Sequence, residues 1–154
     1  MGNGKYLVQI FNCFWIFLTR KIKRSGWWVA GIKDPESVAE HSFRCAIIGY
    51  YIAHLEGADP FKVVVMTLFN DIHEARINDL HKVASRYIDV RKAEKKAYTE
   101  QTEPLDDDIK NDLRGLRDEH DAQKTQESIV ARDADILECL IQAKAFTDLG
   151  YKKE

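Results

Sequence analysis

Hydrophobic residues recur at helical spacing along most of the chain, and no segment shows the strict alternation typical of a half-buried strand. The first apolar segment, residues 7–18, predicts a helix over about residues 5–20, with the segment ending near Ser25-Gly26. It is too short to cross a bilayer, which takes about 20 residues, and no small-residue cleavage site follows it. We therefore favour a helix of the core or of a dimer interface over a helix on a membrane surface.

Start and stop signals predict two further helices in the next part of the chain. Asp34 and Pro35 have the residue types of an N-cap and a first helical position, and Gly57 can supply the left-handed residue that ends the helix after about residue 56. Asp59-Pro60 begins a third helix by the same device, and we expect it to continue to about Arg76.

The second half of the chain is more charged but also predicts helices. Residues 87–101 are predicted to be helical, and Glu103-Pro104 marks a turn. A final long helix is expected to begin near either Ile109 or Asp121, to reach Asp148 and to end at Gly150. The pattern predicts an all-α fold with a single domain over residues 1–154.

The most informative stretch lies within the third predicted helix and the residues that follow it. A run of apolar residues from 63 to 69 changes abruptly into Asn70-Asp71-Ile72-His73-Glu74. If the stretch is one helix, the side chains of Asn70, Asp71 and Glu74 lie within one turn and project together. Burying carboxylates is costly unless they hold a metal, a cation or a hydrogen-bond network. The alternative is a helix that leaves the core and carries solvated charges at its end.

Three other sites along the chain add candidate chemistry. His41 lies early in the second helix, where a lone histidine is more often a structural residue than a ligand. The last helix carries Asp133 and Asp135 among apolar neighbours, an unusual place for acids, although one of them can simply face solvent. Arg24 lies next to Trp27 and Trp28, whose rings serve either core packing or binding.

Composition changes this picture only slightly. The chain has 154 residues, of which 45% are hydrophobic, as expected for one soluble domain with a sizeable core. Its net charge of -2 gives no electrostatic reason to expect a nucleic acid polymer as partner. The three cysteines are widely spaced, which favours reduced thiols in a cytoplasmic protein, with Cys45 and Cys139 packed as small hydrophobic residues.

Taken together, these motifs resemble a known family. Glu36-Ser37-Val38-Ala39-Glu40-His41-Ser42, an aspartate after a long apolar run, and Asp135 in a late helix resemble the HD-domain metal phosphohydrolases, in particular the 5′-deoxynucleotidases. The resemblance covers about residues 18–150. It implies a helical bundle that forms a homodimer, binds one divalent metal through two histidines and two aspartates, and hydrolyses deoxyribonucleoside 5′-monophosphates to nucleoside and phosphate.

The resemblance also implies a role for each candidate residue. The metal ligands are His41, Asn70, Asp71 and Asp135. The catalytic residues are Glu74, which would orient or deprotonate the attacking water, and Asp79, which would assist at the leaving oxygen. The substrate-binding residues are Arg24, which would contact the phosphate, and Trp27, which would pack against the deoxyribose. A mixed set of imidazole and carboxylate ligands suits one divalent transition metal such as Mn, Co, Fe, Ni or Zn.

The chain departs from the family at position 70, where the family has the histidine of its His-Asp pair and this sequence has Asn70. An amide oxygen is a weaker ligand than imidazole, so we expect weakened metal binding. On an ideal helix His73 lies about 60 degrees away from Asn70, so it is predicted to be outside the ligand set. The resemblance places His81 in a loop near the active site, but its spacing alone does not support a substrate contact. His54 and His120 are predicted to be solvated.

These observations lead to one expected function and two alternatives. We expect a cytoplasmic, metal-dependent phosphomonoesterase for deoxyribonucleoside 5′-monophosphates, impaired by Asn70. The first alternative is a non-catalytic nucleotide-binding or helical oligomeric protein that keeps the pocket without the chemistry. The second is an HD phosphohydrolase that acts on another nucleotide. The expected partners are the mononucleotide and a second copy of the chain, with no membrane and no nucleic acid polymer.

Overall fold

The regular structure is helical, as the apolar spacing predicts. A computed structural model describes residues 14–151, of which residues 14–19 are helical. The α-helices that follow are α1 (Gly26–Val29), α2 (Val38–Glu56), α3 (Pro60–Asn70), α4 (Glu74–Ile77), α5 (Val90–Thr102), α6 (Asp107–Ala122) and α7 (Gln126–Asp148), with a 3-10 turn over Ala84–Arg86. Within residues 14–151, extended pairing is limited to one antiparallel bridge between Lys23 and Ser37. The all-α prediction is therefore confirmed. Residues 1–13, and with them most of the predicted first helix, lie outside the described part.

The predicted start of the second helix is wrong by one turn. Helix α2 begins after Ser37, not after Asp34, because Ser37 and Glu40 form a reciprocal capping box. The Ser37 hydroxyl accepts from the Glu40 N–H at 3.2 Å, and the Ser37 N–H donates to the Glu40 carboxylate at 2.6 Å. The other end is as predicted, since Gly57 follows the helix with a left-handed φ of 73°.

The third helix begins as predicted but ends six residues early. Asp59 caps it by accepting from the N–H groups of Phe61 and Lys62. It ends at Asn70, and the chain resumes helical structure only at Glu74. The Asn70 carbonyl is bonded by two side chains, the Arg117 guanidinium at 2.8 Å and His73 Nδ1 at 3.0 Å. These partners satisfy the carbonyl that the interrupted helix leaves without a backbone donor.

Of the two starts predicted for the final helix, Ile109 is wrong, because two helices lie in the place of one. Asp121 falls five residues before the observed start at Gln126, and the end at Asp148 is as predicted. Helices α6 and α7 are separated where Gln123 adopts a left-handed φ of 50°. Thr125 then caps α7 by a second capping box, with Ser128 as its partner. The segment predicted over residues 87–101 is helix α5, whose N-cap is Asp89.

The core lies where α2, α3 and α7 meet. Its buried residues include small and branched side chains from all three helices and the α2–α3 turn: Ala53, Ala58, Val63, Met66, Val130 and Ala131. Gly49 of α2 allows the closest approach, because a Cβ built there lies 2.8 Å from Cγ1 of the fully buried Val63. None of the helices in the described part of the chain is both long enough and apolar enough to cross a membrane.

We expect Gly49→Ala to lower the free energy of unfolding by about 1–3 kcal/mol, because an added methyl group overpacks the α2–α3 contact. Gly115→Ala is the matched control, since Gly115 also lies inside a helix but has no atom within 4 Å of its added Cβ. There the gain in helix propensity should stabilise the protein by up to about 1 kcal/mol. Urea denaturation measures both. Equal stabilisation by the two alanines would contradict the close packing at Gly49.

Candidate metal centre

A short extended pairing positions Arg24 beside the start of helix α2. The Arg24 N–H donates to the Glu36 carbonyl at 3.0 Å, and the Val38 N–H donates to the Ile22 carbonyl at 2.8 Å. This antiparallel contact fixes the backbone before α1 against the capping box of α2. It therefore holds the Arg24 side chain on the same side of the bundle as His41, one turn into α2.

His41 is the centre of the candidate site. It is 1% exposed, and its Nε2 lies 3.0 Å from Asp135 Oδ1 of α7 and 3.6 Å from Asp71 Oδ2 after α3. Burial by itself lowers the pKa of His41, but hydrogen bonds to Asp135, Cys45 and Glu138 raise it to about 12. The same contact with His41 outweighs burial at Asp135 and lowers the pKa of its carboxyl. Two carboxylates that are distant in sequence, Asp71 and Asp135, thus converge on one imidazole nitrogen of His41. Asp133, the neighbouring acid on α7, is exposed to solvent.

The guanidinium of Arg24 lies among the carboxylates. Its nitrogens are each 3.9 Å from an oxygen of Asp71, Asp79 and Asp135. At that separation the contacts are ionic rather than hydrogen bonds. Burial opposes the charged form of Arg24, but the carboxylates of Asp71, Asp79 and Glu74 raise its pKa above the ordinary value for arginine. The site therefore keeps a permanent positive charge next to its acids.

Glu74 and Asp79 complete the acidic side of the site from α4 and the loop after it. Burial, together with the charges of Asp71 and Asp79, raises the pKa of Glu74 well above its ordinary value, against the opposing effect of Arg24. Burial also raises the pKa of Asp79, although Arg24 and the Ser25 N–H, which donates to Asp79 Oδ2 at 2.8 Å, oppose the shift. Glu74 Oε2 is buried and has no hydrogen-bond partner among the described residues. Both acids therefore keep a proton to a higher pH than ordinary carboxyl groups do.

The structure gives Asn70 a contact with its neighbour. Its amide nitrogen donates to Asp71 Oδ1 at 2.8 Å. Asp71 is therefore held by one oxygen and turns the other, Oδ2, toward His41. His73 does not take the place of the missing histidine, because its buried ring faces the Asn70 carbonyl and Arg117 instead.

The acidic cluster opens into a large cavity of about 1180 Å³. The predicted site residues in its lining are Arg24, Trp27, Glu74, Asp79 and Asp135. The Trp27 ring is fixed at its edge, where Nε1 donates to Glu36 Oε1 at 2.7 Å, and packs against Phe146 at 5.2 Å between centroids. The cavity therefore combines an acidic floor, the Arg24 cation and an aromatic wall, and Lys82, Arg91 and Arg117 add further positive charge to its lining.

Several lining residues escaped sequence analysis. His120 was predicted to be solvated, but its side chain is 18% exposed and lines the cavity. Cys139 also lines it, and its Sγ accepts from Arg24 at 3.5 Å. One ligand atom each from His41, Asp135 and Cys139 lies within 4.8 Å of the others. Burial raises the pKa of the Cys139 thiol, which disfavours the thiolate that binds metals. Asp135 and Cys139 are four residues apart on one helix, so their spacing in the sequence could have predicted that their side chains lie close together.

The chain as a whole is similar to one family of proteins. Residues 18–153 match the sequence model of the HD domain, and the acids and histidine described above lie within this range. The chain belongs to the HD-domain family. The resemblance inferred from the motifs is thereby confirmed.

Its relatives include proteins from several eukaryotes. The protein named 5′-deoxynucleotidase HDDC2 of Dictyostelium discoideum is 29% identical over 144 residues, covering 88% of this HD-domain chain and 75% of that protein. The protein of the same name from Danio rerio is 26% identical over 134 residues, covering 86% and 66% of the two chains. This chain thus spans about two thirds to three quarters of the length of these relatives.

Solved structures show the same fold. A conserved hypothetical protein from Pyrococcus furiosus has a TM-score of 0.81 and 30% identity, and the match covers 94% of this chain and 82% of that one. The PH0347 protein from Pyrococcus horikoshii has a TM-score of 0.83 and 28% identity over the same shares of the chains. A structure described as a predicted metal-dependent phosphohydrolase from Magnetospirillum magnetotacticum matches at a TM-score of 0.75 and 24% identity, covering 90% and 71%, and supports the fold alone.

A divalent metal fits the groups that meet at His41. The imidazole Nε2 and one oxygen each of Asp71 and Asp135 are donors of the type that transition metals accept. The buried, unpartnered oxygen of Glu74 is a further acceptor in the same acidic site. Asn70 adds no donor in the observed arrangement, since its amide nitrogen faces Asp71.

We expect Asn70→His to raise the affinity of the protein for Zn²⁺ at least about 10-fold, because an imidazole is a better ligand than an amide for this metal. Asn111→His is the matched control, since Asn111 is exposed on α6. Calorimetric titration of the metal-free proteins measures the two affinities. An equal gain in both variants would show that the added histidine acts away from the site.

Proposed function

We propose that this HD-domain protein is a metal-dependent 5′-deoxynucleotidase, which hydrolyses deoxyribonucleoside 5′-monophosphates to nucleoside and phosphate. The observation that carries the proposal is the meeting of His41, Asp71 and Asp135, with the Arg24 guanidinium 3.9 Å from both carboxylates. A metal-binding acid cluster beside a fixed cation suits a phosphomonoester, because both can bind and polarise the phosphate oxygens. The names of the relatives point to the same substrate class.

His41, Asp71 and Asp135 would hold one divalent transition metal, with Asn70 weakening the site. When bound, such a metal polarises the phosphate and lowers the pKa of a bound water toward neutrality. Arg24 would bind the phosphate oxygens, because its planar fork matches them in pairs and its charge is permanent. Since Arg24 already lies beside the carboxylates, the phosphate is drawn to the same point as the metal ligands.

Proton transfer would be divided between Glu74 and Asp79. Glu74 is suited to accept a proton from the attacking water, because its raised pKa makes it a stronger base than an ordinary carboxylate. Asp79 is suited to give a proton to the departing 5′ oxygen, because its pKa is also raised and its other contacts hold it in place. Trp27 would pack against the deoxyribose along the cavity wall.

A homodimer in the cytoplasm is part of the same proposal. Helix α2 carries four large apolar side chains at intervals of four residues, and all four are 43% to 85% exposed: Phe43, Ile47, Tyr51 and Leu55. A continuous exposed apolar stripe of this kind is typical of a protein interface. Its position on α2 leaves the cavity, which no α2 residue lines, open to substrate.

One observation favours a second candidate, a nucleotide-binding protein without catalysis. The Asn70 amide is engaged with Asp71, so the site lacks the histidine that the family uses as its second imidazole ligand. Such a protein would still bind a mononucleotide through Arg24 and Trp27. The two candidates differ in turnover and not in binding.

Phosphate release from deoxynucleoside monophosphates, in the presence of Mn²⁺ or Co²⁺, separates these candidates. We expect slow release by the wild-type protein and release at least about 10-fold faster by Asn70→His, because the added ligand completes the metal site. Ribonucleoside monophosphates assayed in parallel test the alternative of another nucleotide. Release by Asn70→His alone would support the non-catalytic candidate, and release by neither protein would exclude the nucleotidase.

The pH profile tests the proton acceptor. Because Glu74 acts in its deprotonated form and its pKa is raised, kcat/KM should increase with pH through a value above the ordinary carboxyl range. Glu74→Gln should remove this limb and lower kcat by about 10²- to 10⁴-fold. Glu100→Gln, which alters an exposed carboxylate paired with Arg76 of α4, is the control and should keep the profile. If kcat/KM of Glu74→Gln still increased with pH over the same range, the titrating group would be a residue other than Glu74.

A further inference from the structure

Helix α7 carries a buried carboxylate, Glu138, that the proposed reaction does not use. Glu138 is 1% exposed and lies three residues after Asp135, so the two acids project from the same face of the helix. Its Oε2 lies 2.6 Å from His41 Nδ1, and its Oε1 accepts from Arg44 Nε at 2.6 Å. Each oxygen of the buried carboxylate therefore has its own donor.

A carboxylate that is this deeply buried needs strong compensation. Here the compensation is geometric, because the His41 ring meets one oxygen of Glu138 and the Arg44 guanidinium meets the other. The Arg44 guanidinium alone would supply a charge opposite to that of Glu138, so neutralising this charge does not explain the contact with His41. The distinctive feature is that the second oxygen meets a ring nitrogen of His41 at a short, charge-assisted distance.

This contact determines which face His41 presents to the site. With Nδ1 facing Glu138, the remaining nitrogen, Nε2, faces Asp135 and Asp71. Cys45 closes the remaining space, because its buried Sγ lies 3.5 Å from Nε2. A ring held at both nitrogens and packed along its edge cannot rotate without losing several contacts.

The same network continues to the aromatic wall of the cavity. Arg44 Nη2 lies 3.7 Å from Glu36 Oε1, and that oxygen also accepts from Trp27 Nε1 at 2.7 Å. Charged and polar contacts thus run from the His41 ring through Glu138, Arg44 and Glu36 to Trp27. Helices α2 and α7 and the segment around α1 each contribute to it.

We infer that Glu138, braced by Arg44, is a positioning residue that fixes the His41 ring with Nε2 directed at the metal site. The inference rests on the proposed metal centre but not on the identity of the substrate. Ligand histidines commonly give their other ring nitrogen to a carboxylate, and loss of such a partner typically weakens metal binding by about 10- to 100-fold.

Glu138→Gln tests this inference while preserving the shape of the side chain. The two donors, His41 Nδ1 and Arg44 Nε, face different oxygens of Glu138, so in the amide one of them meets an NH2 group in place of an acceptor. We expect the dissociation constant for Mn²⁺, measured by calorimetry without nucleotide, to rise by about 10- to 100-fold. Arg44→Met, which removes the brace but keeps the carboxylate, should cause a smaller rise and serves as the second variant if the first fails to fold.

Glu127→Gln is the matched control, because it alters a carboxylate of the same helix about 16 Å away along the axis. Glu127 accepts from the Asp59 N–H and has no contact with the site. Its Mn²⁺ affinity should equal that of the wild-type protein. This control separates a general loss of α7 stability from a specific effect on His41.

The ring signals of His41 provide a readout that a purely structural role would not change. In ¹⁵N-edited spectra of the metal-free protein, the Nδ1 proton should move upfield in Glu138→Gln, because a neutral acceptor forms a weaker hydrogen bond than a carboxylate. Unchanged His41 signals together with an Mn²⁺ affinity within about twofold of wild type would overturn the inference. If the wild-type protein bound no Mn²⁺, the metal centre would fail and the His41 signals alone would decide the role of Glu138. Phosphate release does not enter either measurement, so a failure of the proposed activity remains distinguishable.

Discussion

Compensation of buried negative charge is the constraint on which the rest of this site depends. Five carboxylates lie in or beside one partly buried region: Asp71, Glu74, Asp79, Asp135 and Glu138. Protein interiors tolerate such a group only when cations or donors meet it. Here the compensation comes from Arg24 on one side of the cluster and from His41 and Arg44 on the other. Glu74, which has no partner at one oxygen, is the place where compensation is incomplete.

The interruption between α3 and α4 follows from the same requirement. If α3 continued, the acids after Asn70 would be spaced by the helical turn and could not be placed independently. The break lets Asp71 turn toward His41 while Glu74 restarts a short helix, and the backbone carbonyl exposed by the break is satisfied by Arg117 and His73. The break therefore shortens α3 and lets two acidic side chains point in separate directions.

Sequence reasoning predicted the helices from their apolar spacing, and the family resemblance supplied the candidate site residues, several of which the fold brings together around His41. The predicted helix boundaries were wrong where side-chain hydrogen bonds decided the boundary and the local sequence signal did not. Asp34-Pro35 is a sound N-cap pattern, but Ser37 and Glu40 form a reciprocal pair that a single-residue rule does not weigh. The end of α3 depends on Arg117, which lies 47 residues later, so no local signal could predict it. For the same reason the pairing of Glu138 with His41 required the packing of α7 against α2.

The effect of Asn70 on the site depends on its contact with Asp71. Its amide nitrogen fixes one oxygen of Asp71, which leaves the other oxygen, one imidazole and Asp135 as the converging donors. With asparagine in place of histidine at position 70, the donors around the site are one imidazole nitrogen and carboxylate oxygens. Such oxygen-rich sets suit harder ions such as Mn²⁺ better than softer ones. The side chain at position 70 therefore bears on which metal the site prefers as well as on how tightly it binds. Glu138 holds the His41 imidazole from behind, so the nitrogen that faces Asp71 and Asp135 is Nε2 of His41.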